Sequence, residues 1–348
     1  MRAGYLEIAK DHDYIKVVDA DDDPEAIHQK LFHLLKRLIM ISYPWLEEVA
    51  QKLDQLLSSK VLTLEGPKGL GKKEIAHEIA KHKLCSSNNA CGDCNACKTF
   101  VAGTHPDFFI LNNPDSESIK VDQVRELIEF MNLSATSQHK VAIIETCNLM
   151  TIQAQNALLK IAEDLNEKCS LILVSDQVRS LLPTIYSRSH RLLIKEPSRI
   201  DIDSWIKSLG YHDETVFNFP SYFSPLDILG AIKSGETAMY REMYSGFQHL
   251  LLKGNGYEKF IKHFKDLSLT FNEKLVFLND CLKIQLGKNL NFYPKTENTK
   301  ELSEKEIFNL SNLIEELTQQ IFDLSKVKGL NEQVGMNYFL SKVHSIYN

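Results

Sequence analysis

The sequence has no run of about eighteen consecutive apolar residues, so no segment reads as a membrane-spanning helix. Its first residues are rich in Asp and Lys and lack the apolar centre of a secretory signal, which predicts cytoplasmic residence. A surplus of positive charge is missing too. Forty Lys and Arg stand against 46 Asp and Glu, a net charge of −6, and this excludes a protein that coats DNA through bulk electrostatics. Any nucleic-acid contact must be local or shared with partners. Internal repeats and low-complexity runs are absent as well. What remains is an ordinary soluble composition: 348 residues, 43% hydrophobic, enough for a large core and two or three domains.

One further absence is chemical. Gly66-Pro-Lys-Gly-Leu-Gly-Lys-Lys73 carries Gly66, Gly69, Gly71 and Lys72 in the pattern of a phosphate-binding loop, but Lys73 stands where a Ser or Thr would ligate Mg²⁺. Lysine offers no oxygen. The frame is otherwise complete, since Val61 to Glu65 reads as a buried strand and Lys73 to Leu84 as a helix with apolar Ile75, Ala76, Ile79 and Ala80. Lys72 and the backbone amides could still hold ATP or ADP, and hydrolysis is not expected.

Four of the seven cysteines, Cys85, Cys91, Cys94 and Cys97, fall within thirteen positions around a turn at Gly92-Asp93. Four soft thiolates at this spacing suit tetrahedral Zn²⁺. A disulfide framework is the alternative, and a reducing cytoplasm disfavours it. With every ligand a cysteine, no position is left for a catalytic water, so the expected metal is a structural staple. Cys147, Cys169 and Cys281 read as small core residues.

Further strands are expected at Phe108 to Leu111, Lys140 to Glu145, Ser170 to Ser175 and His190 to Ile194. Helices are expected at Val121 to Met131 and Gln153 to Ala162. Such alternation predicts a parallel α/β sheet with its site at the C-terminal strand ends, closed by Pro197. Beyond it, Ile200 to Leu209 and Pro225 to Lys233 read as short helices. From about Glu236 the pattern is helical throughout, with a loop from Asn289 to Lys300 and a long amphipathic helix from Ile307 to Leu324.

Several of these segments together resemble the delta-prime subunit of the bacterial DNA polymerase III clamp loader, a relative of AAA+ ATPases. They are Tyr43-Pro-Trp-Leu46, the cysteine loop followed by Ala102-Gly-Thr-His-Pro-Asp107, Ala154-Gln-Asn-Ala-Leu-Leu-Lys160, Leu181-Leu-Pro-Thr184, Ser187-Arg-Ser189 and Gly329-Leu-Asn331. The resemblance implies an AAA+ core at 40–197 with its zinc module at 85–97, a helical lid at 198–237 and a helical, oligomerising collar at 238–348. It implies a hetero-oligomer with gamma/tau and delta subunits, acting on a sliding clamp and primer-template DNA and not on membranes. The assembly is part of a DNA-directed DNA polymerase, while this chain is expected to lack both ATPase and polymerase catalysis.

The resemblance also gives roles to particular residues. Active relatives end the strand before their site in Asp-Glu, the Asp near Mg²⁺ and the Glu orienting water; here the pair is Glu145-Thr146. The arginine that active relatives place near Ser224-Pro225 is absent, since Leu226 and Asp227 follow. Arg188 alone reads as a solvated charge before a strand. The resemblance makes it an arginine finger offered in trans to a neighbour's ATP, although Ser189 replaces the family's Cys. Ser175 reads as a turn former or sensor, His105 as structural, and Arg125 as a solvated helical charge. Two alternatives remain: an active ATPase motor subunit and a zinc-dependent DNA-binding scaffold.

The first thirty-nine residues stand apart. Arg2 to Ala9, Lys16 to Ala20 and the helix expected from Pro24 to Leu38 resemble the C-terminal tail of thymidylate kinases. They are expected to be a read-in or fusion, with Met40 as the natural start.

Overall fold

The computed structural model describes residues 43–88, 90–112, 118–253, 264, 269–292, 301–324 and 332–347. The extra segment at 1–39, the start at Met40 and the Gly329-Leu-Asn331 segment lie outside these residues, as does most of the loop expected from Asn289 to Lys300. The chain divides into two compact units between Ser198 and Arg199.

The first unit is an α/β layer structure. Two short helices, α1 (Glu47–Gln51) and α2 (Leu53–Ser58), lead into β1 (Val61–Glu65), followed by α3 (Lys72–Leu84), α4 (Asn95–Val101) and β2 (Phe108–Leu111). Then come α5 (Val121–Asn132), β3 (Lys140–Ile144), α6 (Ile152–Asp164), β4 (Cys169–Ser175), α7 (Pro183–Tyr186) and β5 (His190–Leu193). The five strands form one sheet in the order β2-β3-β4-β1-β5. All four pairings are parallel.

The central strands read as continuous hydrophobic runs because both faces of the sheet are covered. Successive side chains alternate between two cores. Ala142, Ile144, Leu171 and Leu173 pack with Val124, Leu127 and Met131 of α5 and with Ala154 and Leu158 of α6. Val141, Ile143, Ile172, Val174, Leu62 and Leu64 pack with Ile75, Ala76, Ile79 and Ala80 of α3. The parallel arrangement sends the C-terminal ends of β1, β3 and β4 to the same edge, where Glu65 is in register with Ser175. Loops at that edge of a parallel sheet are where ligands commonly bind.

The second unit is helical in its described residues: α8 (Arg199–Ser208), α9 (Pro225–Ser234), α10 (Thr237–Lys253), α11 (Phe271–Asn289), α12 (Glu304–Leu324) and α13 (Glu332–Tyr347). Helix α9 has a complete set of end signals. Ser224 caps its start in a reciprocal box with Asp227, Pro225 occupies the first turn, and Gly235 closes it in the left-handed conformation (φ +80°). Asp227 is therefore committed to capping. The buried Asp280 of α11 accepts from the Ser221 N–H (2.8 Å), the Ser221 hydroxyl and the Tyr244 hydroxyl (3.0 Å), tying the turn before α9 to the long helices. No described helix is long and apolar enough to cross a membrane.

Candidate functional site

The glycine loop joins β1 to α3 with positive φ at Gly66 (+147°), Gly69 (+72°) and Gly71 (+85°). At Gly66 a Cβ would stand 2.3 Å from the Ile194 carbonyl oxygen, so backbone approach alone requires glycine there. Trp45 Nε1 donates to the Leu70 carbonyl at 3.0 Å, and the Tyr43 ring lies against Gly71. The Tyr43-Pro-Trp-Leu46 segment thus braces the loop. Gly66, Gly69, Gly71 and Lys72 are brought together as the sequence pattern requires.

Lys72 and Lys73 are both engaged by the protein itself. Lys72, 3% exposed, places Nζ 2.8 Å from Asp176 Oδ1, just beyond β4, and donates to the Pro67 carbonyl. Lys73 Nζ donates to Glu145 Oε2 at 2.9 Å, just beyond β3. His77, one turn further along α3, puts Nε2 3.1 Å from Glu145 Oε1. An ionised carboxylate only accepts, so Nε2 carries the proton. The residue that replaces the magnesium-holding hydroxyl therefore binds the one carboxylate of this strand end that could have reached a metal. Thr146 supplies no carboxylate, and its Oγ1 is buried without a hydrogen-bond partner among the described residues.

Glu145 is held below the usual carboxylate range, first by the His77 hydrogen bond and then by Lys73, against the opposing push of burial. A folded-state value below the unfolded one contributes stability above the unfolded value of about 4.3, and that stability is lost as pH falls through the folded one. The wild-type Tm should accordingly fall more steeply between about pH 5 and 3 than that of Glu145→Gln. Parallel Tm profiles for the two proteins would rule out this linkage.

Arg188 is not part of the loop. It follows α7, where Pro183 starts a single turn. Its Nη2 lies 2.5 Å from Glu163 Oε1 on α6, while Nη1 donates to the Thr184 carbonyl (3.1 Å) and the Ser187 hydroxyl (3.2 Å). Both charged side chains are exposed, so the pair is an exchangeable one. Ser175 is fully buried and serves a turn, donating to the Gln177 carbonyl and accepting from its N–H. His105 Nδ1 accepts from the Asp107 N–H at 3.1 Å, a local structural bond, and burial lowers its pKa. Arg125 pairs with Asp122 on its own exposed helical turn.

Asp176, His77 and Glu163 were not singled out by the sequence reading. A signal existed for His77, which lies four positions after Lys73 and so on the same helical face. Asp176 directly follows a strand aimed at the site edge. Glu163 carried no comparable signal.

The four cysteines converge around the start of α4. Their Sγ atoms all lie within 4.8 Å of one another. Three separations are 3.6 Å (Cys85–Cys91), 3.9 Å (Cys85–Cys94) and 4.0 Å (Cys91–Cys97). Ligands at about 2.3 Å from a tetrahedral Zn²⁺ stand about 3.8 Å apart, so the donor set fits that ion. N–H groups of Cys91, Cys94 and Cys97 each point at a preceding cysteine sulfur at 3.4 Å. The Cys94 thiol is brought down to about 6, first by the Cys97 and Ser86 N–H groups, while burial pushes Cys97 up to about 12. None of the seven cysteines forms a disulfide among the described residues, and Cys147, Cys169 and Cys281 are buried.

Residues 45–198, the described part of the sheet-bearing unit almost in full, match the family model described as DNA polymerase III, delta subunit. DNA polymerase III subunit delta' of Pseudomonas aeruginosa is 40% identical over 152 residues, 42% of this chain and 46% of that protein. The chain thus spans about half the length of that relative. The same subunit of Buchnera aphidicola is 25% identical over 320 residues, covering 84% of this chain and 94% of that one. DNA polymerase III subunit tau of Bacillus subtilis is 29% identical over 157 residues. Over residues 45–198 the chain is thus similar to the delta-prime subunits of DNA polymerase III.

Proposed function

We propose that this chain is a non-hydrolysing clamp-loader subunit that offers Arg188 to the ATP of a neighbouring subunit and so helps to load a sliding clamp on primed DNA. The observation that carries the reading is the pairing of Lys73 with Glu145 at 2.9 Å. Mg²⁺ needs oxygen ligands in near-octahedral geometry, and here an ammonium group holds the nearby carboxylate while no hydroxyl replaces it. With Thr146 in place of a water-orienting carboxylate, the site lacks both metal anchorage and a general base. Lys72 is similarly committed to Asp176.

In this reading residues 40–197 form an AAA+ core, 198–237 a lid and 238–348 a collar that joins gamma/tau and delta subunits in a cytoplasmic hetero-oligomer. Cys85, Cys91, Cys94 and Cys97 would hold a structural Zn²⁺, which contributes folding energy to the loop and no chemistry. An active motor subunit is disfavoured by Lys73 and Thr146. A zinc-dependent DNA-binding scaffold is disfavoured by the acidic balance.

The isolated chain should hydrolyse no Mg-ATP above the background of an Arg188→Ala, Lys72→Ala preparation purified in parallel. Lys73→Thr alone should not create turnover, because Thr146 still leaves the attacking water without a base. Turnover by the isolated wild-type chain would restore the motor reading.

A further inference from the structure

Glu65 is a fully buried carboxylate at the last position of β1, directly before Gly66. A buried charge persists only when paired and hydrogen-bonded. Among the described residues, the hydrogen-bond partners of its carboxylate come from the segment that carries Arg188. Oε1 accepts from the Arg179 N–H (3.1 Å) and from the Tyr186 hydroxyl, and Oε2 accepts from Arg191 Nε. The Tyr186 hydroxyl in turn accepts from the Leu181 N–H at 3.1 Å, and the Arg191 guanidinium lies 5.2 Å from the Tyr186 ring centroid.

These contacts have a geometric consequence. Arg179 takes a left-handed conformation (φ +59°) as it directs its N–H to Glu65, a strain that a non-glycine residue bears where surrounding contacts fix it. Arg191 is fixed at the other end, within β5, which is itself paired to β1. Tyr186 is held between them, two residues before Arg188. One carboxylate thus pins the segment before, beside and after the arginine.

We propose that Glu65 and Tyr186 are positioning residues for Arg188, setting the direction in which its guanidinium leaves the surface toward a neighbour's phosphate. The proposal rests on reading Arg188 as the arginine supplied in trans. Neither residue touches the phosphate. A bidentate guanidinium acts only when its fork is aimed, and a misplacement of about 1 Å can cost about 10²-fold in rate.

The test uses the complete reconstituted complex and reads ATP hydrolysis by the neighbouring subunit. Tyr186→Phe removes one hydroxyl and keeps the ring, so it serves as the mild variant beside Glu65→Gln. Tyr186→Phe should lower kcat about tenfold and Glu65→Gln up to about a hundredfold, with KM for ATP and assembly affinity unchanged. In an Arg188→Ala background neither should lower it further, because nothing remains to be aimed. Wild-type rates in both variants, with Arg188→Ala still depressed, would remove the positioning role and leave the trans arginine standing. Equal losses in the Arg188→Ala background would make the cluster merely structural and overturn the proposal. A wild-type rate in Arg188→Ala itself would remove both.

Discussion

Arg188→Ala is expected to depress the ATPase of the assembled complex by about 10³-fold or more, the range an arginine finger supplies in other NTPases being about 10³ to 10⁵. The exposed side chain is well placed for this. It is exposed and held by Glu163, Thr184 and Ser187, all contacts that a phosphate can replace. An exposed ion pair contributes about 1 kcal/mol or less, so leaving Glu163 opposes engagement only slightly. Arg188→Lys should fail to restore the rate, since an ammonium lacks the planar fork that spans two phosphate oxygens. Lys72→Ala should change the rate less than about twofold, an expectation that follows from the proposed non-hydrolysing role of this loop. Steady-state hydrolysis by the reconstituted complex measures all three. Equal rates for wild type and Arg188→Ala would remove the finger.

Metal removal should have the second large effect, on stability. Wild-type protein should carry one Zn²⁺ per chain, and Cys94→Ser or Cys97→Ser should lose it. Structural zinc in small modules contributes an apparent free energy of about 10 to 16 kcal/mol near neutral pH, part of which is the folding of the loop itself. Beside the packing of Phe100 on Phe108, residues 85–101 have little regular structure: Asn88, Ala90 and Gly92 are left-handed, and α4 is seven residues long. Chelation should therefore open this segment to hydrogen exchange and proteolysis. The sheet should survive, because its cores draw on α3, α5 and α6 and on no cysteine of the cluster. Metal analysis finding no zinc in the wild type would sink the staple, and global unfolding on chelation would show that its role is wider.

Much of the sheet-bearing unit was legible because its signals are local. Each expected strand from Val61 to Ile194 appears within one or two residues, and the central three were plainest, since parallel strands covered on both faces are near-continuous apolar runs. The glycine loop and the cysteine cluster were legible through spacing alone. The helix after the loop starts at Lys72 rather than Lys73, a shift of the ordinary size for helix ends. Ser175, His105 and Arg125 took the modest structural roles that their neighbourhoods suggested.

The pairings within the site were not legible. Lys73 and Glu145 are 72 positions apart, and Glu65 and Arg191 are 126 apart. An apolar run that is buried on both faces specifies a strand but not its neighbours, because no polar face remains to reveal order or register. By itself, the sequence determined that this is a parallel α/β protein with a glycine loop short of its hydroxyl, a four-cysteine cluster and an arginine after Leu181-Leu-Pro-Thr184. Only the tertiary structure decided that β1 lies between β4 and β5, with β3 one strand further on. That order brings Asp176 to Lys72, Glu145 to Lys73 and the Arg188 segment to Glu65. Each of these is a charge meeting its partner at the sheet's C-terminal edge, where neutralisation depends on which strand ends are adjacent and not on which residues are consecutive.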